Sequence, residues 1–393
     1  MESNRKGRDE KQMAEPLPGI RPQQLQKLLR GLVDIYSPSG KEEEIVGFLD
    51  RYIRRRGLPT VLQPVGESRS NLLVLPQEPD LHLALVGHVD TVAAYELDDF
   101  GYVEKGDVIT GLGTADMKGG CAAMIEAFLA FWEYTAGRFP VALCMVVGEE
   151  EESDGAEELV GEYHFPWAII GEPTDLKPCL SHYGYLEMHV TTLGRRVHAS
   201  LAKTKGNAVE AMLRVMLDLS RHVEIHRPDL VYNIRDLFSS QAGFAVPERC
   251  EAWLDVHLPP SSPVAEIASE IEEIATRTRG KETGVETKVR IETVDAGYEL
   301  PEKGPTVDAL RAVHERRSLA WEPEPFRSHS DANSLWASGV KTILLGPGQL
   351  EKAHTPEESV SFSQVCLAAE IYLDLLVTMF VPGKEGKKET QSP

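Results

Sequence analysis

The spacing of apolar residues changes character several times along the chain, and the changes outline its elements. Apolar positions recur at helical spacing in QLQKLLRGLVDIYS and again in EEEIVGFLDRYIRRR, on either side of the turn-like SPSG. NLLVLP, LHLALVGH, PVALCMVV and WAIIGEP are short unbroken apolar runs closed by turn residues. Such runs predict strands buried on both faces. Between the second and third of them, MKGGCAAMIEAFLAFWEYTAG has helical length and period despite its two internal glycines. Strands alternating with helices predict an α/β fold, a central mixed sheet covered by helices.

The pattern shifts after about Pro178. YGYLEMHVTTLG alternates as a strand, and NAVEAMLRVMLDLSRHV is an amphipathic helix. VYNIRDLFSS with QAGFAVP, then CEAWLDVHLPP, read as two strands, SPVAEIASEIEEIATRTRG as a helix and TKVRIETVDA as a last strand. The order β-α-β-β-α-β predicts an inserted ferredoxin-like domain. The first domain resumes near Pro301 with VDALRAVHERR, KTILLGPG and a long C-terminal helix from Ser363. The expected organisation is a disordered leader over 1–20, a catalytic α/β domain over 21–180 and 295–382, an inserted domain over 181–294 and a disordered tail over 383–393.

Composition narrows the function classes. At 393 residues the chain exceeds one ordinary core, in keeping with two domains. A net charge of −21 argues against nucleic acid and against anionic membranes as partners, because both repel such a surface. The five cysteines form no C-x-x-C pair, and three sit in apolar contexts. That predicts reduced, buried thiols and a cytoplasmic protein. No unbroken apolar run nears the ~20 residues that span a bilayer, and MESNRKGRDEKQ lacks the apolar core of a signal peptide.

Candidate chemistry gathers at strand ends. His88 and Asp90 in GHVDTV follow the run LALV, at the C-terminal edge where open α/β sheets place ligand groups. The alternative is a plain polar terminus. With H-x-D spacing, a carboxylate can hold the second ring nitrogen of a metal-bound imidazole. Asp116 lies in the Gly-rich GLGTADMKGG, where it could equally cap the following helix. Glu149, Glu150, Glu151 and Glu152 follow the run ending in Val146 and Val147, and a solvated charge run is the bland reading of them. Glu172 in GEPT and His354 in AHTPEE also lie just past predicted strands. Together these form a metal-site pattern of histidine and carboxylate donors on one rim.

GHVDTV, GLGTADMKGG, GEEEESDGA, GEPT, GRRVHAS, NAVEAM and GPGQLEKAHTPEE, in this order and spacing, resemble the motifs of a dinuclear zinc exopeptidase and deacylase family. Its members include acetylornithine deacetylase, succinyl-diaminopimelate desuccinylase, aminoacylase and glutamate carboxypeptidase. The resemblance runs from about Gln23 to Thr378. It implies two divalent metal ions per subunit, zinc first, with cobalt or manganese accepted by the same donors. By this resemblance Asp116 bridges the ions, His88 and Glu172 complete one shell, and Glu150 and His354 complete the other. Glu149 is then the general base and Asp90 orients His88. The family's acidic motif reads Glu-Glu, two variable residues, Ser, one residue, Gly-Ala. Counting back from Ser153 and Gly155 leaves Glu151 and Glu152 at the variable positions. His198 in GRRVHAS matches a family histidine that reaches a neighbouring subunit's active site, so the resemblance also implies a homodimer formed through the inserted lid domain.

The implied reaction is hydrolysis of the amide of an N-acyl amino acid, of the acetylornithine, acetyl-lysine or succinyl-diaminopimelate type. A carboxypeptidase or dipeptidase acting on short peptides uses the same metal ligands, and a non-catalytic dimeric scaffold is the more distant alternative. Three positions depart from the desuccinylase pattern: Phe244 stands for its Asn, His257 for the Arg of its Asp-Ile-Arg, and Asn333 for the Arg of Asp-Ala-Arg. Histidine is a poorer partner for a carboxylate than the guanidinium fork. Arg235, Arg249 and Arg327 are alternative carboxylate anchors, or ordinary surface arginines.

Overall fold

The computed structural model describes residues 19–77, 80–94, 100–204, 206–241, 243–277 and 284–381. Nearly all of the expected leader and tail, 1–18 and 382–393, lies outside the described residues. The chain divides into two units, Met1–Leu180 with Pro301–Glu324 and Ser338–Pro393, and Ser181–Leu300 with Pro325–Ala337.

In the first unit a six-stranded mixed sheet runs, in spatial order, Val61–Val65, Arg69–Val74, Val141–Val146, Leu83–His88, Trp167–Ile170, Lys341–Leu344. The first two strands form an antiparallel hairpin that also pairs antiparallel with the third. The remaining four are mutually parallel. Every residue of the Leu83–His88 and Val141–Val146 strands is buried, which explains their unbroken apolar runs. The Gly119–Thr135 helix is apolar on all sides because it is enclosed, and its residues from Gly119 to Phe131 are all buried. It packs on the Leu83–His88 and Val141–Val146 strands and on the helices Pro22–Val33 and Phe362–Phe380.

Two glycines near the future site are required by geometry. A Cβ on Gly120 would lie 2.1 Å from the carbonyl oxygen of Gly171, so no other residue lets this helix meet the end of the Trp167–Ile170 strand. Gly148 has φ +78°, and a Cβ there would meet the Asp154 carboxylate at 2.1 Å. The apparent helix-weakening glycine of MKGGC thus marks a close backbone approach.

The Phe362–Phe380 helix is 19 residues long and apolar enough by length and composition to cross a membrane, a feature the run-based reading of the sequence passed over. Here it is a core helix. Val365, Ala368, Ala369, Tyr372 and Leu376 are buried, and its Glu370 and Asp374 pair with Arg317 at 2.6 and 2.7 Å.

In the second unit a four-stranded antiparallel sheet has the spatial order Val231–Ser239, Arg249–Leu258, Gly184–Leu193, Glu286–Asp295. The helices Ala208–His226 and Val264–Arg277 cover one face through Met212, Val215, Leu219, Ile267 and Ile271. Asn207 caps the first of them by accepting from the Glu210 amide. The chain order of these elements is the β-α-β-β-α-β read from the sequence.

The unit boundary differs from the expected one at 295–300 and at Pro325–Ala337, both placed by sequence with the first domain. Pro325–Phe326 pairs with Ser181–His182, and the Asn333 amide donates to the carbonyls of Tyr183 and Ala296, both at 3.1 Å. The His182 ring is fully buried. Its Nδ1 donates to the Tyr183 carbonyl at 2.7 Å, leaving Nε2 to accept from the Ser330 hydroxyl at 2.8 Å. These side-chain bonds leave no periodic trace in sequence.

Candidate metal centre

The four parallel strands end on one rim of the first unit's sheet. In register, Leu344 lies beside Ile170, Ile170 beside Val86, and Val86 beside Cys144. His88 closes the Leu83–His88 strand, whose chain continues to Val141–Val146 on one side while that of its other neighbour, Trp167–Ile170, continues to Lys341–Leu344 on the opposite side, the switch point where such sheets bind ligands. Glu172 lies two residues past Ile170, and Glu149 and Glu150 lie in the turn after Val146. Asp116 comes from Thr114–Lys118, the segment leading into the buried helix. Its φ of −121° and ψ of 96° are extended, and the helix is capped from Lys118, so Asp116 is not the N-cap that one sequence reading allowed. His354 follows the short Leu350–Lys352 helix and has φ +57°, an uncommon conformation for a histidine.

These segments converge. His88 Nε2 lies 3.2 Å from Asp116 Oδ1, 3.7 Å from Glu149 Oε2 and 4.0 Å from Glu172 Oε1. His354 Nε2 lies 2.9 Å from Glu150 Oε2 and 3.5 Å from Asp116 Oδ2. Three donor sets result: His88, Asp116 and Glu172; Asp116, Glu150 and His354; and His88, Glu149 and Glu150. Within each, the ligand atoms lie within 4.8 Å of one another. Nitrogen and carboxylate oxygen donors this close fit divalent first-row ions. Because Asp116 belongs to two sets, the cluster is a dinuclear metal-binding site.

The electrostatics are those of clustered anions around two imidazoles. Burial alone would lower the His88 ring, yet Glu149, Asp116, Asp90 and Glu172 hold it well above its ordinary value. The Glu150 hydrogen bond and charge lift His354 to about 9. Burial pushes Asp116 upward, but the His88 hydrogen bond and the two imidazoles outweigh it and hold Asp116 low. Burial likewise raises Glu150. So many buried carboxylates on one spot call for positive charge.

Asp90 does more than face His88. His88 Nδ1 lies 3.2 Å from the Asp90 backbone carbonyl oxygen and 3.5 Å from one of its carboxylate oxygens. The two carboxylate oxygens also accept the backbone N–H groups of Glu149 and Glu150 at 3.2 and 3.1 Å, and Oδ2 accepts the Ser39 hydroxyl at 2.7 Å. One buried residue therefore holds the histidine, through its carbonyl and carboxylate, and the acidic turn, through its carboxylate. Arg69 secures that turn from behind, bonded to Asp154 and lying 3.4 Å from Glu42.

Within the glutamate run the division is clear. Glu149 is 8% exposed and Glu150 faces His354, whereas Glu151 and Glu152 are exposed. Sequence reasoning assigned no role to Glu358, although it was in view in AHTPEE. It is buried and accepts three backbone N–H groups of the Asp116 loop.

The remaining candidates lie in the second unit. His198 is exposed, its Nδ1 2.8 Å from the Ser200 hydroxyl. Phe244 is 89% exposed. His257 is held low mainly by burial and stands beside the Tyr185 ring. Asn333 is committed to backbone carbonyls, as described. Arg235 pairs with Glu187 at 2.6 Å and lies 3.5 Å from Asp255, and Arg249 pairs with Glu251 at 2.7 Å. Both are already engaged. Arg327 is an exposed residue of the segment after Phe326.

The chain is similar to known proteins over most of its length. The chain is 28% identical to acetylornithine deacetylase of Edwardsiella ictaluri over 340 residues, covering 81% of this chain and 86% of that protein. It is 27% identical to a peptidase M20 domain-containing protein of Schizosaccharomyces pombe, covering 86% of this chain and 80% of that one. Among solved structures, a tripeptidase from Staphylococcus aureus superposes with a TM-score of 0.77 at 21% identity, over 92% of this chain and 99% of its own. Human carnosine dipeptidase 1 does so with a TM-score of 0.71 at 13% identity, over 91% and 97%. At these identities the structural likeness establishes the fold alone. The family model for peptidase family M20/M25/M40 matches residues 84–378, which contain every residue of the metal cluster, and the chain is a member of that family and a metal-dependent hydrolase.

Proposed function

We propose that the protein hydrolyses the amide bond of N-acyl amino acids, N-acetyl compounds of the ornithine or lysine type first. The observation that carries the reading is the position of Asp116. Its two carboxylate oxygens face different histidines, Oδ1 towards His88 at 3.2 Å and Oδ2 towards His354 at 3.5 Å, as a ligand shared by two ions must. The acetylornithine deacetylases that match over more than 80% of both chains support the substrate class.

In this reading His88 and Glu172 would hold one ion and Glu150 and His354 the other, with Asp116 available to both. Zinc, or cobalt or manganese, would supply Lewis acidity to a water molecule and to the scissile carbonyl. Asp90 keeps the His88 tautomer that leaves Nε2 free to ligate. Glu149 accepts the proton of the attacking water and returns it to the departing amine nitrogen, which leaves as a neutral amine. The second unit is a ferredoxin-like lid through which two copies pair. His198 then donates to the developing oxyanion in the partner's site.

Amine release from N-acetyl amino acids, N-succinyl amino acids and dipeptides, with added zinc or cobalt and again with chelator, tests this. Chelator-sensitive release from N-acetyl substrates is expected, with turnover reduced in His198→Ala. Cleavage of dipeptides alone would replace this reading with the peptidase one. No cleavage by protein shown to hold two ions would overturn the N-acyl amino acid reading, point to a specialised or macromolecular substrate and raise the scaffold reading.

A further inference from the structure

We infer that Glu358 is a positioning residue that locks the Asp116 loop to the His354 loop and so sets the ligand geometry of the second metal ion. The inference rests on the ligand assignment proposed above. Glu358 is 4% exposed. Its Oε1 accepts the backbone N–H groups of Ala115 and Asp116 at 2.9 and 3.1 Å, and its Oε2 accepts that of Gly113 at 2.9 Å. Its own carbonyl oxygen accepts the Gly111 N–H at 3.4 Å. One residue thus satisfies four amides of the GLGTAD loop, 242 residues from Asp116 in sequence.

The loop needs such a partner. Asp116 and Met117 have non-helical dihedrals, so the amides of Ala115 and Asp116 are not spent on a regular ladder. Without Glu358 they would be buried donors lacking an acceptor. The other side of the lock is equally local. Glu358 lies four residues after His354, in the same turn, and its N–H donates to the Thr355 carbonyl at 3.1 Å. The next residues, Ser359–Ser361, pair antiparallel with Val108–Thr110, which leads into the Gly-rich loop. Lys118, 1% exposed, donates from Nζ to the Ile35 carbonyl at 2.9 Å and places a positive charge near Glu358.

Few side chains can do this. A carboxylate offers acceptor capacity on both oxygens, whereas glutamine would aim an N–H2 donor at one or two of the same amides. Aspartate keeps the charge but falls short by one methylene. Of the second ion's proposed ligands, Asp116 and His354 are set by this lock, and Glu150 is set separately by Asp90.

The test uses the full chain, with Glu358→Gln, Glu358→Asp and His354→Ala beside the wild type. Stepwise zinc affinities come from competition with a chromophoric chelator, together with the melting temperature of the metal-free protein and kcat and KM. In Glu358→Gln the zinc step that His354→Ala removes is expected to fall about 10–100-fold, and the other step, which shares Asp116, by clearly less. His354→Ala should show the same selective loss, and Glu358→Asp should recover part of it. kcat should fall with KM little changed. Zinc steps and kcat within about twofold of wild type in the folded variant would overturn the inference. So would an equal fall in both steps together with a lowered metal-free melting temperature, which marks a general structural role. If Glu358→Gln fails to fold, Glu358→Asp is judged by the same criteria. A wild type that binds fewer than two zinc ions would instead sink the proposed function, whatever the variants do.

Discussion

Replacing Glu149 by Gln is expected to leave two zinc ions bound and to slow amide hydrolysis by roughly 10²–10⁴-fold. The substitution is nearly isosteric in a side chain that is 8% exposed. The contact that positions the turn is made by the Glu149 backbone N–H to Asp90, which the change does not touch. On the proposed reading, what is lost is the capacity to take and return a proton. The prediction discriminates because Glu149 Oε2 is also close enough to His88, at 3.7 Å, to belong to a ligand set. If Glu149 were a ligand, zinc content would fall in step with activity. Metal analysis by mass spectrometry and turnover on the same preparation decide between the roles, and a variant with wild-type turnover would eliminate both.

Asp116→Ala is expected to have the broadest effect on the site, abolishing binding of at least one ion, weakening the other and lowering kcat/KM by more than about 10³-fold. Removing it leaves His88 and Glu172 on one side and Glu150 and His354 on the other with no shared oxygen. The same change removes one negative charge from a buried cluster that also holds Asp90, Glu149, Glu150 and Glu172. In the metal-free protein burial opposes that charge, but His88 and His354 outweigh burial and hold Asp116 low, so the ionised carboxylate favours folding above the ordinary carboxylate range. Metal-free Asp116→Ala should therefore melt modestly below the metal-free wild type at neutral pH, while the rise in melting temperature on adding zinc should largely disappear. A metal-free variant that melts far below the wild type would show that Asp116 is a structural residue. An undiminished zinc-dependent rise would show that it is no bridge.

The elements that carry the site were legible because each has a strong local signature. LALVGH, ALCMVV and WAII are continuous apolar runs, and all three are buried strands ending on the same rim. The alternation in YGYLEMHVTTL and CEAWLDVHL corresponds to strands with one face against helices and the other free of them. Less legible were pieces of two or three residues. Val103–Lys105, Val108–Thr110 and Ser359–Ser361 form a small sheet, and Ser181–His182, Tyr298–Glu299 and Pro325–Phe326 another. Segments that short cannot display a period. The second of these sheets is why 325–337 falls with the second unit.

Local sequence by itself determined the strands, the helices, the residue types at the strand ends and, through motif order, the family. It also separated Glu149 and Glu150 from Glu151 and Glu152, because a motif fixes positions by counting. Only the tertiary structure decided how those positions are held. Asp90 clamps the Glu149–Glu150 turn by its backbone, and Glu358 clamps the Asp116 loop from a segment more than two hundred residues away in sequence. Asn333, which by comparison of motifs stood where a substrate arginine was expected, spends its amide on two carbonyls. The physical reason is common to all three. Periodicity and motifs record which face of an element is buried, whereas a buried side chain that satisfies distant backbone amides or carbonyls is fixed by where loops meet in space, and that meeting has no period to read.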